Sequence, residues 1–504
     1  MEFFKIGAMI IPSWIIYMSC FLGICSWHRM AGESVISGTR LPGPAKAATG
    51  PNVILILVDD QGWGATSVLM DDQIPESASD FNRTPNLEKL AEAGMRFVQG
   101  YAPHPNCSPS RASIQTGKSP AKLHFTDIIG RVGGNENTTN RLIRPRHING
   151  LVDNEVTIAE LIKQHRPEYA TAHFGKWHMK GGGPENHGYD VSDGSTGNGE
   201  GNRKYPQNPK DIFGITRRGI SWIEENVEKN KPFFMMLAHY ATHKYIENLP
   251  STLKTFEESP GGTRHDHAAH AAMTYDLDTG VGMIMDKVKE LGISDNTYII
   301  YLADNGSFPG LNPANTNGPL RGWKATLWEG GIRSPFLIAG PGVKGGTLSR
   351  ERVVGYDLYP TIAEWLGIKA ISPEIEGGSL CNILKNAGNG QVSRPHDFLV
   401  FHWPRYVLSK GSHPSTVIFR GDYKLHKFYE TGELRLYNIK EDIGENKPLN
   451  REHPHVVEVL HQAMQDYLKE IDAGMPRVNA RYDEAKDPGR KFKDLKEALM
   501  LVEK

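Results

Sequence analysis

The chain has little cysteine, almost no net charge and no visible internal repeat. Only four of its 504 residues are cysteines, and two of these, Cys20 and Cys25, lie in an apolar N-terminal segment. Two remaining thiols do not make a disulfide scaffold, so stability must come from a hydrophobic core. A formal net charge of −1, with no Lys/Arg-rich run, excludes a broad basic surface for nucleic acid. Any functional positive charge must therefore be local.

Residues 1–28 differ most clearly in composition from the rest of the chain. Residues 6–25 are nearly all apolar, and a stretch rich in Gly, Ser, Pro and Ala continues to Gly50. We interpret residues 1–28 as an export signal and residues 29–50 as a linker. A retained membrane anchor is the alternative, because the apolar run approaches the ~20 residues that span a bilayer, and lipid attachment is also open. Pro12 and Ser13 interrupt the run, which favours cleavage and a periplasmic or secreted protein.

One remaining cysteine stands beside a fixed cation at a predicted helix start. The segment from Cys107 to Lys118 reads CSPSRASIQTGK. The helix N-terminus and Arg111 both favour an anion there, so the site could lower the pKa of the thiol or hold an anionic substrate. On chemistry alone, Cys107 is either a thiolate nucleophile or the precursor of a modified nucleophile. An isolated cysteine is more often a buried core residue, and only the rest of the chain decides against that interpretation.

The Cys-x-Pro-x-Arg pattern resembles the signature of type I sulfatases, in which the cysteine is oxidised after translation to formylglycine. Further motifs of that family occur in order along residues 51–378. They are DDQGWG from Asp59, GKWH from Gly175, ATH from Ala241, DNG from Asp304, the single Lys324, and EGGIR from Glu329. The resemblance implies a sulfuric ester hydrolase with the alkaline-phosphatase-like fold. That fold is a large mixed, mostly parallel sheet sandwiched by helices, with a smaller C-terminal antiparallel sheet and helix.

Apolar runs in the sequence support such a sheet. Residues 53–58 form a continuous apolar run that suits a strand buried on both faces, and the run ends directly in Asp59 and Asp60. Residues 233–237, 298–302 and 336–338 are further candidate core strands. His243 follows the first of these, and Asp304 and Asn305 follow the second. Polar side chains thus collect at the carboxyl ends of strands, where open α/β sheets bind ligands.

Capping patterns predict the helices between these strands. Thr84 caps a helix that Gly94 closes, and Thr157 with Glu160 forms a capping box. A longer helix is predicted over residues 268–291. The histidines at 265, 267 and 270 are interpreted as an exposed loop and helix start, not as a metal cluster.

The pattern changes after residue 378. Short strand-like runs at 398–402, 416–420, 424–428 and 434–438 are separated by turn residues, and an amphipathic helix is predicted over 455–471. We divide the chain into a catalytic domain at 51–390, an antiparallel subdomain at 391–475 and a charged tail at 476–504.

Three carboxylates and one amide provide candidate metal ligands that are all oxygens, as hard cations such as Ca²⁺ or Mg²⁺ prefer. In sulfatases, equivalents of these residues and the formylglycine hold calcium. The resemblance therefore implies a calcium site, with Mg²⁺ possible, formed by Asp59, Asp60, Asp304, Asn305 and residue 107. Ala65 departs from the family, which often has an acidic residue after Gly64.

Four cations complete the site that the resemblance implies. Arg111 and Lys118 hold the modified residue in its hydrated form, and Lys176 and Lys324 bind the sulfate. Positioned positive groups of this kind stabilise charge that develops in the transition state. Each cation, taken singly, would be interpreted as a solvated surface charge.

Two histidines are assigned proton transfers by the same resemblance. One hydroxyl of the hydrated aldehyde attacks sulfur, which leaves the sulfate on residue 107. His178 removes the proton of the second hydroxyl and sulfate is expelled, while His243, with Lys324, protonates the departing alcohol.

Substrate and partners are less closely defined. Residues 124–150 and 181–209 are predicted to form loops near the site mouth that select the leaving group. A sulfated carbohydrate is the preferred substrate, and aryl sulfates fit the chemistry equally well. A maturation enzyme that converts Cys107 is an implied partner, and the oligomeric state is open. Two alternatives remain: a phosphate or phosphonate ester hydrolase of the same superfamily, and a non-catalytic calcium-dependent protein that binds sulfated glycans.

Overall fold

The computed structural model describes residues 50–130, 138–152, 154–202, 205–308 and 317–487. The predicted export signal and nearly all of the predicted linker lie outside these ranges. None of the described helices combines the length and the apolar character that a membrane span requires.

The described strands comprise β1 Asn52–Val58, β2 Gly94–Tyr101, β3 Leu142–Ile143, β4 Ala170–Gly175, β5 Val191–Ser192, β6 Phe233–Ala238, β7 Thr297–Ala303, β8 Phe336–Ala339, β9 Thr347–Val354, β10 Leu399–Trp403, β11 Ser415–Arg420, β12 Tyr423–Phe428, β13 Leu434–Asn438 and β14 Arg477–Val478. The described helices comprise α1 Pro85–Ala93, α2 Cys107–Thr116, α3 Ile158–His165, α4 Ile212–Glu228, α5 Pro250–Glu257, α6 Ala268–Glu290, α7 Glu329–Ile332, α8 Leu358–Trp365, α9 Cys381–Lys385 and α10 Pro454–Glu470.

The main sheet has eight strands in the order β5-β4-β6-β1-β7-β8-β2-β9. The strand β1 pairs in parallel with β6 and β7, and β6 pairs in parallel with β4. Only β8 runs antiparallel to its neighbours in this sheet. The predicted mixed, mostly parallel sheet is confirmed.

Helices cover both faces of this sheet. The odd-numbered residues of β1 pack in a core with α2, α3, α8 and α9, and the even-numbered residues pack with α1, α4 and α6. Every residue of β1 is therefore buried. This double burial explains the continuous apolar run, because neither face of the strand meets water.

The helix α1 forms as predicted, but the residues that were predicted to cap it and to close it do not do so. The Thr84 hydroxyl accepts a hydrogen bond from the Ser67 N–H and does not cap the helix. Asp278 of α6 takes that role, since its carboxylate accepts the Leu87 N–H at 2.8 Å. Gly94 has φ −137° and begins β2 instead of closing the helix in a left-handed turn. The cap thus comes from a residue that is remote in sequence.

The other helix predictions are closer to the structure. The Thr157–Glu160 capping box opens α3, and α6 begins at Ala268. The predicted exposed loop before α6 is wrong at His265, which is 2% exposed and contacts the Ser79 hydroxyl. No metal-ligand group forms there within the described ranges.

The C-terminal part is a four-stranded antiparallel sheet in the order β10-β11-β12-β13. One face packs against α10, and the other packs against residues of the main domain that include Tyr101 and Trp328. The predicted small sheet and helix are confirmed. Part of the predicted charged tail adds a short strand, because β14 pairs with β3.

Candidate active site

Four neighbouring parallel strands bring the predicted site residues to one edge of the sheet. Lys176 follows β4, Asp59 follows β1 and Asp304 follows β7, each directly after the last strand residue. His243 lies five positions beyond the end of β6. Since these strands are adjacent and parallel, residues far apart in sequence meet at the carboxyl ends.

An acidic cluster occupies the centre of this edge. Asp59, Asp60, Asp304 and Asn305 are all at most 2% exposed. The Asp60 N–H donates to Asp304 at 3.3 Å, and the Asn305 side-chain amide donates to Asp60 at 2.8 Å. These bonds fix the cluster as one unit.

Three oxygens of this cluster have no hydrogen-bond partner among the described residues. They are Asp59 Oδ1, Asp60 Oδ2 and Asn305 Oδ1, and all three are buried. A buried acceptor without a partner costs about 1–3 kcal/mol, and more if it is charged. Ligand atoms of Asp59, Cys107 and Asp304 also lie within 4.8 Å of one another. The open acceptors of Asp59, Asp60 and Asn305 are all oxygens, and such a set fits a hard divalent cation.

Two carboxylates of the cluster have pKa values that are shifted in opposite directions. Burial and the neighbouring Asp59 raise the pKa of Asp304 to about 8, against the opposing effect of Arg111. Burial would raise the pKa of Asp59 as well, but Lys176 and His243 help to hold that pKa well below its ordinary value. A bound divalent cation would favour the ionised form of each carboxylate.

Arg111 ties the cysteine-bearing helix to the strand ends. Cys107 is the first residue of α2, and Arg111 lies one turn later on the same side of the helix. The Arg111 Nε and Nη2 atoms donate to Asp304 at 2.9 and 2.7 Å, and Nη1 donates to the Lys176 carbonyl at 2.5 Å. The guanidinium is 1% exposed, so it is a fixed positive charge behind residue 107.

His178 is the histidine that contacts residue 107. Its Nδ1 atom lies 3.2 Å from Cys107 Sγ and 3.3 Å from Ser108 Oγ. Burial, Lys176 and Arg111 lower the pKa of His178 well below its ordinary value, so the imidazole is neutral and able to accept a proton. The Thr196 carbonyl accepts the His178 N–H at 2.8 Å and holds the backbone in place.

Two lysines and the second histidine contact the acidic cluster. Lys176 donates to Asp59 at 2.5 Å, and Lys324 donates to Asp60. The His243 Nε2 atom lies 3.8 Å from Asp60 Oδ2. Burial lowers the pKa of His243 to about 4. Each of the two lysines therefore pairs with a different carboxylate of the cluster.

Lys118 is not brought to this cluster. It lies beyond the last turn of α2 and pairs with Glu155 at 2.9 Å. Cys107 lies at the other end of the same ten-residue helix, which is about 15 Å long. The predicted direct role of Lys118 at residue 107 is therefore corrected, because the helix that begins at Cys107 ends before Lys118 and separates the two residues.

Sequence reasoning missed two residues that support His178. Ser108 contacts its ring, and Thr196 binds its backbone. Adjacency to Cys107 was an available signal for Ser108. Thr196 lies within the predicted loop 181–209, and it also lines a neighbouring cavity of about 270 Å³. This part of the loop therefore lies against the site, as predicted.

Comparison with known proteins agrees with this geometry. The family model for sulfatases matches residues 51–368. A second model, described as N-sulphoglucosamine sulphohydrolase, C-terminal, matches residues 322–473. The chain belongs to the sulfatase family, and it is a sulfuric ester hydrolase.

Relatives of this chain cover most of its length. A sulfatase of Formosa agariphila is 27% identical to this chain, and the alignment covers 80% of this chain and 85% of the length of that sulfatase. The N-acetylgalactosamine-6-sulfatase of Canis lupus familiaris is 26% identical, over 88% of this chain and 91% of its own. The solved structure of Ps i-CgsB in complex with k-i-k-neocarrahexaose has a TM-score of 0.68 at 23% identity, and the match covers 90% of this chain and 98% of that one. The structural likeness confirms the fold.

Proposed function

We propose that this sulfatase removes sulfate from a sulfated carbohydrate. The reaction uses a formylglycine, which is formed from Cys107, together with one calcium ion or a magnesium ion in its place. One observation carries this proposal. The sulfur of Cys107 lies beside His178 and within 4.8 Å of carboxylate oxygens of Asp59 and Asp304. The name of the canine relative, an N-acetylgalactosamine-6-sulfatase, supports a sugar as the alcohol.

The proposed groups supply complementary chemistry. The cation supplies positive charge that favours an ionised hydroxyl on residue 107. A hydrated aldehyde supplies one hydroxyl for attack at sulfur and a second whose deprotonation releases sulfate without attack of water at sulfur. A maturation enzyme that oxidises Cys107 is therefore part of the proposal.

The side chains of the site bind the sulfate and move protons. Lys176 and Lys324 place two fixed ammonium groups where negative charge develops on the sulfate oxygens. Neutral His178 accepts a proton at Nδ1 from residue 107, which that atom already contacts. The His243 Nδ1–H donates to the Lys244 carbonyl at 2.6 Å, so Nε2 can protonate the departing alcohol only when the ring carries its second proton. Burial acts to lower the pKa of Lys324, but Asp60 and Cys107 raise it further, so the ammonium stays charged and brings a proton to this step.

Two measurements test this proposal against its alternatives. The mass of the peptide that contains residue 107, taken from native protein, should show the aldehyde and not the thiol. Hydrolysis of an aryl sulfate should exceed that of the matched aryl phosphate. A large preference for phosphate would show instead that the protein is a phosphate or phosphonate ester hydrolase of the same superfamily. An intact thiol at residue 107, with calcium-dependent glycan binding and no turnover, would show that the protein is a non-catalytic protein that binds sulfated glycans.

We also propose that the protein is exported to the periplasm or secreted, on the composition of residues 1–28. Cell fractionation, with sequencing of the mature N-terminus, tests this. A mature chain that begins near residue 29 is the expected result, and an intact residue 1 in the cytoplasm would contradict it.

A further inference from the structure

Two lysines outside the catalytic cluster approach one aromatic ring. The Lys410 Nζ atom lies 4.1 Å from the centroid of Phe308, and the Lys244 Nζ atom lies 5.5 Å from it. Lys244 is exposed, whereas Phe308 and Lys410 are half-buried. In the parts of the chain that the structure describes, neither ammonium forms an ion pair with a carboxylate. We call Lys244 and Lys410 the rim lysines.

Chain connections place the rim lysines next to the side of the site from which the alcohol leaves. Lys244 directly follows His243. Phe308 follows Ser307, whose carbonyl accepts the Lys324 N–H at 2.9 Å. His243 and Lys324 are the groups to which we assign protonation of the departing alcohol. A sugar held for that step lies near the rim lysines.

The environment of Lys410 differs from that of an ordinary surface lysine. Burial and then Lys324 lower its pKa to about 7, while Asp60 and Cys107 have the opposite effect. Surface lysines normally keep the ammonium in water, where such a shift does not arise. Contact with the face of the Phe308 ring attracts the ammonium, which helps to hold this group in place.

An anionic group of the substrate, other than the sulfate that is cleaved, would reduce the repulsion between the lysines in this region. Lys244, Lys324 and Lys410 interact electrostatically, and only Lys324 has a carboxylate partner among the described residues. A carboxylate or a sulfate beside Phe308 would pair with ammonium groups that have no carboxylate partner among the described residues, and it would favour the charged form of Lys410.

We propose that Lys244 and Lys410 form a second anion subsite, which binds a carboxylate or an additional sulfate on the sugar that is released as the alcohol. This inference rests on the proposed function, and it specifies the substrate as an oligosaccharide with at least two anionic groups near each other. The subsite determines which sulfated sugar is preferred, and it takes no part in the bond cleavage.

Steady-state kinetics of three matched substrates test the proposal. They are a monosulfated sugar, the same sugar with a second sulfate, and the same sugar with a neighbouring carboxylate. The wild type should show a higher kcat/KM for at least one of the doubly anionic sugars, through a lower KM. In Lys410→Met and Lys244→Met, the ratio of kcat/KM between that sugar and the monosulfated sugar should fall by about tenfold, the loss of roughly one charge-assisted contact. Comparing the two doubly anionic sugars identifies which anion is bound.

Controls separate a local effect from a general one. The ratio of kcat/KM values cancels any overall loss of active enzyme, and Lys344→Met, an exposed lysine elsewhere, should leave the ratio unchanged. A ratio that is the same in the rim-lysine variants and the wild type overturns the proposal. So does a wild type that gains nothing from either second anion.

Equilibrium binding distinguishes this proposal from the proposed function. Calorimetric titration of the doubly anionic sugar into Cys107→Ala protein needs no turnover, and adding Lys410→Met should weaken the affinity by about tenfold. If the wild type hydrolyses no sulfate but this affinity difference is found, the proposed function fails and the subsite stands. If hydrolysis is found but the affinities are equal, the subsite fails alone.

Discussion

At the scale of single residues, two of the central side chains are held on an uncommon backbone. Asp60 and His178 both have φ near +60°, in the left-handed region. Such a conformation costs a non-glycine residue of order 1–3 kcal/mol and persists only where surrounding structure fixes it. Here the Asp60 N–H bonds to Asp304 and the His178 N–H bonds to Thr196. The strain thus accompanies the alignment of the proposed metal ligand Asp60 and the proposed proton acceptor His178.

Two of the three lysines that were predicted to lie in the site, Lys118 and Lys324, should respond differently to substitution. Lys324→Met removes a buried ammonium that contacts Asp60, and we expect kcat to fall by about 10²–10³-fold. Lys118→Met removes an ion pair with Glu155 at the far end of α2, so kcat should stay within about twofold of wild type. Aryl sulfate hydrolysis by both variants checks this. A large loss of kcat in Lys118→Met would show that our placement of this residue outside the site is wrong.

Removal of the metal should destabilise the protein as well as inactivate it. The open oxygens of Asp59, Asp60 and Asn305 have no hydrogen-bond partner among the described residues, and the proposed cation would satisfy them, so chelation should lower Tm and added Ca²⁺ should restore it. At a free Ca²⁺ concentration of 100 times Kd, binding stabilises the fold by about 2.7 kcal/mol.

Matched variants make this metal experiment specific. Asn305→Ala should lose most of the calcium-dependent rise in Tm, whereas Asp295→Asn, at an exposed position, should keep it. A Tm that does not respond to chelation or to Ca²⁺ in the wild type would contradict the metal site.

At the scale of elements, sequence pattern predicted the strands that are apolar throughout. The strands β1, β6 and β7 are buried on both faces and were found as continuous apolar runs. The strand β4 reads ATAHFG and β2 reads GMRFVQGY, so polar residues interrupt both patterns, and neither was predicted. Lys176 at the end of β4 was found from its motif alone. Tertiary contacts also replaced a local helix cap, since Asp278 and not Thr84 binds the start of α1.

This long-range cap predicts a specific pH dependence of stability. Burial raises the pKa of Asp278 to about 6, although its hydrogen bonds to Asn86 and Leu87 act to lower it. A carboxyl group whose pKa is higher in the folded state stabilises the fold below the unfolded pKa of about 3.9, and that contribution is lost as the pH rises through 6. Between pH 8 and pH 5, protonation of Asp278 should therefore add about 1 kcal/mol to the free energy of unfolding.

Urea unfolding of wild type and Asp278→Asn at the two pH values measures this contribution. The variant is expected to be less stable at both values, because an amide accepts fewer backbone hydrogen bonds. The gap should widen by about 1 kcal/mol at pH 5, since only the wild type gains a proton. A gap that narrows at pH 5 would mean that the carboxylate is stabilised in its charged form.

At the scale of the whole molecule, a buried ion network joins the two sheets. Lys424 of β12 lies 3.0 Å from Glu329 of α7 and 2.9 Å from Glu445, and all three are fully buried. Glu445 also accepts the Glu329 N–H at 2.7 Å, and Tyr101 of the main sheet donates to Glu329 at 2.6 Å. Since α7 begins five residues after Lys324, the network anchors the segment that carries this proposed catalytic lysine to the C-terminal subdomain.

Breaking this network should destabilise the entire fold. Lys424→Met removes the ammonium that two buried carboxylates share, and leaves Glu329 with Arg333 at 3.3 Å and Glu445 with the His426 ring at 2.7 Å. We expect a loss of about 3–5 kcal/mol in the free energy of unfolding. Lys427→Met changes a half-buried lysine of the same strand, whose ammonium contacts His461, and should cost much less. Thermal unfolding compares the two. Equal Tm values for both variants would refute the role of Lys424.

The motifs of the sequence were sufficient for the centre of the site but not for its surroundings. Asp59, Arg111 and Asp304 lie in short motifs that occur in the family's order, so the family pattern located them. The partners Lys424 and Lys410 stand in no motif, and their relevance arises only when the C-terminal residues fold onto the main domain. Lys118 was assigned to the site by the resemblance, and the length of the helix that begins at Cys107, which separates the two residues, was not predicted.

The central claim is that residue 107 performs the reaction as a modified cysteine. The most direct measurement is sulfate release from an aryl sulfate by wild type, Cys107→Ala and Cys381→Ala proteins produced in the same host. Cys381 is the matched control, a buried free cysteine on α9. We expect activity to be abolished in Cys107→Ala and retained in Cys381→Ala. Undiminished sulfate release by Cys107→Ala would contradict the account.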